Sequence, residues 1–181
     1  MYNKSQDGFS YVEVIIAIVI LMVGILALLS AITASVVQAS GQQRQLAAKQ
    51  IATTTLESIM SVKETGPNRL GWPAVGNVGS NLDASGVPQG IFVNGVQPVR
   101  AGAGADRVVG TADDNLEEIS DVGRQIIITD ICDPDRPSPN CPTPGTAGVR
   151  MRSVQVTIFY NVGSIRRQET LATVLTDYST N

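Results

Sequence analysis

Apolar residues are concentrated near the N-terminus of the chain. Residues 14–43 contain no charged side chain, and Val14 to Leu29 is almost wholly aliphatic. A helix of about 20 apolar residues crosses a hydrocarbon layer roughly 30 Å thick, so this segment predicts a helix able to span a membrane. A carboxylate, Glu13, stands at its edge, where burial in lipid costs a few kcal/mol in the absence of a partner.

The apolar residues that follow recur with a helical period. Between Gln42 and Val62 the charged and polar residues fall mostly on other faces, so we expect an amphipathic helix that ends at Gly66-Pro67, because proline lacks the backbone donor. One helix is therefore predicted from Phe9 to Glu64, with a coiled coil as the alternative, although the stripe covers few heptads. The predicted apolar face comprises Leu46, Ile51, Leu56, Ile59 and Met60, with Ala47, Ala48 and Ala52 beside them.

The rest of the chain predicts loops and then strands. Residues 66–123 are dense in Gly, Pro, Asn and Ser, which favours loops. Within them Asn94-Gly95 predicts a short hairpin, and Trp72 is expected to anchor a loop to the core. Segments rich in β-branched and aromatic residues predict three strands, Gln125 to Thr129, Ser153 to Tyr160 and Ile165 to Leu175.

The second of these strands has a clear period of two. Val154, Val156, Ile158 and Tyr160 alternate with mostly polar residues, as in a half-buried strand. Residues 161–164 supply a turn, so an antiparallel meander is the simplest topology. The amphipathic helix has an apolar face to cover one side of this sheet. The predicted fold class is α+β, a long N-terminal helix packed on a small antiparallel sheet.

Composition narrows the range of functions. The chain has 181 residues, a net charge of −3 and no histidine. A mildly acidic chain without a basic cluster is a poor nucleic-acid binder, so no nucleic-acid partner is expected. Histidine is the most common general base and metal ligand, and the Gly-x-Ser-x-Gly and phosphate-loop motifs are missing from the sequence too. We expect a protein that is not an enzyme.

The junction before the apolar segment resembles a known signal. Gly8-Phe9-Ser10-Tyr11-Val12-Glu13 is similar to the class III signal of type IV prepilins and type II secretion pseudopilins. In that family a short polar leader ends in Gly, the mature chain starts with Phe, and its fifth residue is Glu. The stretch GFSYVEVIIAIVILMVGILALL is most similar to PilV-type minor prepilins.

The sequence departs from the family pattern at two places. The leader carries one Lys and one Asp, whereas family leaders are usually more basic. Position 30 is Ser where many major pilins have a helix-kinking Pro, and this points away from a major pilin.

The resemblance implies a type IV pilin-like fold and a set of site residues. Prepilin peptidase, a membrane aspartyl peptidase, would cut between Gly8 and Phe9 and N-methylate the Phe9 amine. Glu13 would then pair with the Phe9 amine of a neighbouring subunit during assembly. The implied organisation is a leader over 1–8, a transmembrane and assembly helix over 9–40, an amphipathic helix over 41–65 and a globular head over 66–181.

The implied function is that of a minor prepilin of a type IV pilus. Such a protein would lie in the bacterial inner membrane with its head in the periplasm, and then in the pilus. Its partners would be prepilin peptidase, other pilin or pseudopilin subunits, the inner-membrane assembly platform and, before assembly, membrane lipid.

Other interpretations stay open. A type II secretion minor pseudopilin is the alternative within the family. From a different class, a single-pass envelope protein with a calcium-binding ectodomain fits the same pattern. An ordinary secretory signal would place its cleavage site after the apolar region and would lack an acid at its start.

Cys132 and Cys141 are the two cysteines of the chain. If the head lies outside the cytoplasm, we expect them to form a disulfide. Closing a loop of about ten residues stabilises by roughly 2–3 kcal/mol in the chain-entropy model. A metal site or a redox pair is the alternative, but further Cys or His ligands are lacking. Many pilins carry a disulfide-bounded loop near the C-terminus, usually a longer one.

Acidic residues crowd between Asp106 and Asp121. Carboxylates on a glycine-hinged loop suit Ca²⁺, which takes six to eight oxygen ligands. Asp106, Asp113 and Asp114 are the candidate ligands, and calcium is the one cofactor that the sequence suggests. The spacing differs from that of an EF-hand, and a solvated acidic loop is the alternative.

Overall fold

The computed structural model describes residue 8 and residues 10–64, 70–131 and 150–177. Helix α1 spans Tyr11–Glu64, and a 3-10 turn spans Trp72–Ala74. Four strands follow: β1 (Val96–Gly102), β2 (Asn115–Ile131), β3 (Met151–Val162) and β4 (Ile165–Thr176). The chain divides into two compact units, Met1–Gln43, here the N-terminal unit, and Arg44–Asn181, here the head.

The N-terminal unit contains the apolar part of α1. The helix is uninterrupted through Ser30, so the residue that stands at the proline position of many pilins continues the helix. Three hydroxyls in this part donate to the carbonyl four residues earlier: Ser30 to Leu26, Thr33 to Leu29 and Ser35 to Ala31, at 2.8–2.9 Å. These polar groups are therefore satisfied within the helix, which is how hydroxyls are accommodated where water is absent.

Within the head, α1 buries a stripe of small residues. Ala48, Ala52, Thr55, Ile59 and Val62 recur every three or four positions and are all buried. The predicted amphipathic helix is thus present, but the prediction of which residues form its buried face was wrong in part. Leu46 and Ala47 are exposed and Met60 is 40% exposed, whereas Thr55 and Val62 belong to the buried stripe. Three of these five residues are alanine or threonine, so small size as well as polarity distinguishes the side that faces the core.

The four strands form one antiparallel sheet in the order β1-β2-β3-β4. In its register Ile126 lies opposite Val156, and Val156 lies opposite Leu171. Val154, Val156 and Ile158 are fully buried, so the predicted alternation is confirmed. All three predicted strands lie within β2, β3 and β4, and Gly163-Ser164 forms the turn between the last two. The meander is confirmed.

Two predictions for residues 66–123 were wrong. This region contains β1 and the first half of β2, and β1 pairs with β2, so Asn94-Gly95 precedes a strand without closing a hairpin. The early part of β2 is acidic and has weak strand propensity. Its pairing with β1 includes Arg100 opposite Glu118, joined at 2.7 Å, and cross-strand pairs of this kind override local preference.

The loop before β1 is fixed by side-chain amides. Asn77 donates to the Ile126 carbonyl at 2.9 Å and accepts from the Ile128 amide at 2.8 Å, so it pairs with β2 beyond the end of β1. Asn81 donates to the carbonyls of Pro73 and Val75. The 3-10 turn is thereby held against the sheet.

The core lies between the sheet and the head part of α1, with Phe92 and Val75 from the loop. Trp72 packs against this core, so its predicted role as a loop anchor fits the structure. The fold class is the predicted α+β arrangement of a long N-terminal helix and an antiparallel sheet.

Candidate functional site

The N-terminal site lies at the start of α1. The Ser10 carbonyl accepts hydrogen bonds from the amides of Glu13 (3.0 Å) and Val14 (3.2 Å), which closes the first helical turn. Gly8 is exposed, and no described atom would contact a Cβ placed there. Phe9, the predicted methylation site, lies outside the described residues. The bond predicted to be cut, between residues 8 and 9, therefore lies shortly before the start of the helix at Tyr11.

Glu13 is exposed in the first turn of α1. A carboxylate there interacts favourably with the helix dipole, by about 0.3–1 kcal/mol at an exposed site. Transfer of a charge into lipid costs a few kcal/mol, about 2.5–3.5 kcal/mol at the centre of a helix on insertion scales. The helix end alone does not offset that cost. A partner of opposite charge beside Glu13 would reduce this cost.

The apolar side chains that follow are exposed without exception over residues 11–40. By length and composition α1 is the one helix in the described residues that could cross a membrane. None of its most apolar window is buried against the rest of the described chain. An apolar surface of this extent marks a site of contact with lipid or with other proteins.

A buried arginine, Arg152, joins the loop to the sheet. It pairs with Asp130, directly opposite on β2, at 2.9 Å, and it donates to the carbonyls of Trp72 (2.5 Å) and Val75 (2.6 Å). Its guanidinium stacks over the Trp72 ring, 4.3 Å from the centroid. Burial lowers the pKa of Arg152, and the Asp130 hydrogen bond and charge oppose that shift. An arginine stays protonated at any pH where proteins fold, so this cluster is structural.

A second buried pair joins Arg124 and Asp114. Arg124 Nη2 lies 2.5 Å from Asp114 Oδ2, and both side chains are nearly inaccessible. The Asp114 carboxylate also accepts from the Gly110 amide at 3.0 Å. One of the three candidate calcium ligands is therefore engaged in a buried ion pair with an arginine.

The other two candidate ligands are engaged by the loop itself. Asp113 accepts from the Thr111 hydroxyl (2.7 Å) and from the amides of Ala105 (2.7 Å) and Asp106 (3.2 Å). Asp106 accepts from the Val108 amide at 2.8 Å. The Thr111 hydrogen bond, followed by the Asp106 amide, lowers the pKa of Asp113.

Calcium binding at this loop stays a prediction. Among the described residues no group of three or more Cys, Asp or Glu side chains is placed to hold a metal ion. The carboxylates of Asp106, Asp113 and Asp114 each accept hydrogen bonds from donors of the protein. These hydrogen bonds hold the loop in place, so they explain the acidic residues without a metal ion. Glycine is needed at position 104, because its φ is positive (63°) and a Cβ there would collide with Asp113.

The buried arginines were missed by the sequence analysis, although the sequence contains a signal for them. On β2 the core-facing positions alternate along the strand and are occupied by Arg124, Ile126, Ile128 and Asp130. The charged residues Arg124 and Asp130 therefore lie on the same face of the strand as the two isoleucines. A charged residue at a core position of a strand implies a buried partner. The predicted disulfide residues, Cys132 and Cys141, lie outside the described residues.

Comparisons with known proteins bear on the N-terminal site alone. Neither curated proteins nor solved structures gave a significant match to the chain. The family model described as the prokaryotic N-terminal methylation motif matches residues 3–29. That range contains Gly8, Phe9, Glu13 and much of the apolar segment. The N-terminal segment of this chain carries a prokaryotic N-terminal methylation motif.

Proposed function

We propose that this protein is a minor prepilin of a type IV pilus, processed after Gly8 and incorporated into the filament through α1. The observation that carries the proposal is the methylation motif over residues 3–29, placed at the start of a helix whose apolar side chains over residues 11–40 are all exposed. A pilin-type subunit needs such a surface twice, first against lipid and then against its neighbours. The same helix continues into the core of the head, as a structural subunit requires.

The proposed assembly step follows from the cost of an unpaired charge. When apolar helices pack together, water and lipid are excluded, and the Glu13 carboxylate needs a cation. The methylated Phe9 amine of a neighbouring subunit is that cation in our proposal. Two charges that are each unfavourable in a low dielectric neutralise one another, and this sets the relative height of the two helices more than it adds stability.

Processing is tested on the mature N-terminus. Mass spectrometry of the protein from its native host is expected to find a chain that begins at a methylated Phe9. Gly8→Ala should accumulate as the unprocessed chain. An intact Met1 in the mature protein, or a Gly8→Ala chain of processed size, would contradict the proposal and favour a single-pass envelope protein.

Assembly is tested with Glu13→Ala, with Glu57→Ala as the matched control. Glu57 is an exposed acid on the same helix within the head, outside the apolar segment. We expect Glu13→Ala to be cleaved and inserted normally, yet to be at least about tenfold depleted from sheared filaments, because the apolar interface loses its charge pair. Glu57→Ala should be incorporated like the wild type. Equal incorporation of both variants would refute the role of Glu13.

A type II secretion minor pseudopilin remains the alternative within this proposal. The motif and the apolar helix serve both systems equally, and pull-down from the host distinguishes them. Recovery with pilus subunits supports the pilus, whereas recovery with secretion components supports the pseudopilus.

A further inference from the structure

Three arginines lie together at one end of the head. The turn between β3 and β4 is followed directly by Ile165, Arg166 and Arg167. Arg44 of α1 donates to the Asn161 carbonyl at 2.7 Å, and Asn161 lies opposite Arg166 in the β3–β4 register. The turn and the first residue of the head are therefore held side by side. We call Arg44, Ile165, Arg166 and Arg167 the hairpin tip.

The arginines of the hairpin tip have no carboxylate partner among the described residues. All three side chains are exposed, and none forms an ion pair within the described parts of the chain. Arg166 stacks over the Phe159 ring, 4.8 Å from its centroid, and Arg167 lies opposite Tyr160 on the other face of the sheet. Positive charge is thus available on both faces of the hairpin.

Two carboxylates lie near the hairpin tip. Glu169 is two residues beyond Arg167, about 7 Å farther from the turn, and accepts from the Gln45 side-chain amide at 2.7 Å. Asp121 of β2 borders the same shallow cavity as Arg166. The three arginines outnumber these two carboxylates, so this end of the head has a net positive charge.

An apolar side chain stands among the arginines. Ile165 is 60% exposed at the start of β4. An exposed aliphatic side chain beside arginines combines the two contributions to binding at a lipid surface, which are burial of apolar area and attraction to anionic headgroups. A small anion free in solution would use the arginines but would gain nothing from Ile165.

The position of Arg44 along α1 brings the hairpin tip to the edge of a bilayer. Residues 14–43 carry no charge, so Arg44 is the first charged residue after Glu13. At a rise of 1.5 Å per residue this uncharged stretch of helix is about 45 Å long, and a bilayer with its headgroup regions measures about 40–45 Å. With α1 inserted, Arg44 lies at the outer edge of the headgroups. The turn that Arg44 contacts through Asn161 lies there with it.

We propose that the hairpin tip binds the surface of a bilayer that contains anionic phospholipid. The guanidinium groups donate to phosphate oxygens of the headgroups, which they match in geometry, and Ile165 enters the interface. This contact holds the head against the membrane for as long as the chain stays in lipid. It requires α1 to be inserted in a bilayer, as in the proposed function, but neither processing after Gly8 nor assembly.

The test places the full chain in nanodiscs of phosphatidylcholine and in nanodiscs that also contain phosphatidylglycerol. A gadolinium chelate on a trace of the headgroups broadens amide NMR signals near the surface, and Gly163 and Ser164 report on the turn. We expect at least about threefold greater broadening with phosphatidylglycerol, because each arginine near an anionic surface shifts the docking equilibrium by about fivefold. High salt should abolish the difference, since it screens the charges.

Two variants and a matched control locate the contact. The double variant Arg166→Gln with Arg167→Gln should lose the dependence on phosphatidylglycerol. Ile165→Ser should lower the broadening at least about twofold, because the apolar contact is removed. Lys63→Gln changes a cation in the last turn of the same helix and should behave as the wild type does. If the double variant fails to fold, the comparison of the two lipids on the wild type still decides.

The outcomes separate this contact from the proposed function. Failure of the chain to co-elute with either nanodisc would contradict membrane insertion, and with it both proposals. Equal broadening of the inserted chain in the two lipids, or unchanged broadening in either folded variant, would overturn the lipid contact alone. Broadening that is equal in both lipids and depends on the number of chains per nanodisc would instead assign the arginines to carboxylates of a second copy.

Discussion

The two parts of α1 differ in the burial of their large apolar side chains. Over residues 11–40 the large apolar side chains are all exposed, whereas over residues 44–64 the helix buries Ile59 and Val62 against the sheet. In the head, the apolar side chains of the helix thus pack against other residues of the same chain. The N-terminal unit leaves its apolar surface to lipid or to other proteins. One uninterrupted helix therefore has an exposed apolar part and a part that packs in the core. The same substitution, for example isoleucine to alanine, should have different consequences in the two parts.

Charges show the same contrast. Arg152 and Arg124 are buried in the head, and each is paired with a carboxylate of the same chain. Glu13 stands at the edge of the apolar segment, where the helix dipole alone does not offset the cost of leaving water. Among the described residues of the head, both buried arginines are thus paired, and Arg124 Nη1 is the one buried side-chain nitrogen or oxygen without a hydrogen-bond partner. The N-terminal unit needs a partner.

The largest expected effect comes from removing the arginine that joins the head together. Arg152→Ala removes the buried guanidinium that pairs with Asp130 and donates to the carbonyls of Trp72 and Val75. We expect the free energy of unfolding of the head to fall by about 3–5 kcal/mol, as measured by denaturant titration. Arg167→Ala, at an exposed position, should change it by less than about 0.5 kcal/mol. Similar losses in both variants would contradict the internal role of Arg152.

A matched pair of isoleucines tests the contrast along the helix. Ile59 is fully buried and Ile18 is 47% exposed. Ile59→Ala should lower the free energy of unfolding of the head by about 2–5 kcal/mol, because it leaves a cavity in the core. Ile18→Ala should leave head unfolding unchanged in detergent. An effect of Ile18→Ala on head unfolding would show that the two parts of the helix are not energetically separate.

The smallest expected effect concerns the acidic loop. The pKa of Asp113 is lowered by the Thr111 hydroxyl, so the folded state binds its proton less readily than the unfolded chain does. The stabilisation is present above the unfolded pKa of about 3.9 and is lost as pH falls through the lower folded pKa. The melting temperature of the wild type should therefore fall more steeply below about pH 4 than that of Asp113→Asn. Parallel pH profiles for the two proteins would contradict this assignment.

The N-terminal methylation motif could be recognised from the sequence because it is a short linear pattern, whereas the roles of Gly8, Phe9 and Glu13 stay predictions. Gly8, Phe9 and Glu13 have fixed spacings, and the apolar segment follows at once. Strands β3 and β4 could be predicted for a similar reason, since the alternation at Val154 and Val156 is a local property.

The polar clusters of the head could not be predicted from local pattern alone. The pairing of Arg152 with Asp130 depends on the register of two strands, and Trp72 reaches the same guanidinium from a loop far away in the sequence. Strand β1 was missed because it forms by pairing with the acidic half of β2. That half has little strand propensity of its own, so no partner for β1 is evident from the sequence. In each case the deciding interaction is between residues that are separated along the chain.

The outer strands also determine how heads behave when they are crowded. Strand β4 is one edge of the sheet, and its exposed first half carries Arg166 and Arg167. The opposite edge, β1, contains Pro98, which has no amide to offer. Positive charge and proline at sheet edges hinder the addition of a further strand. Heads held at high local concentration would therefore remain separate folded units, and fibrillar aggregation through their sheets would be disfavoured.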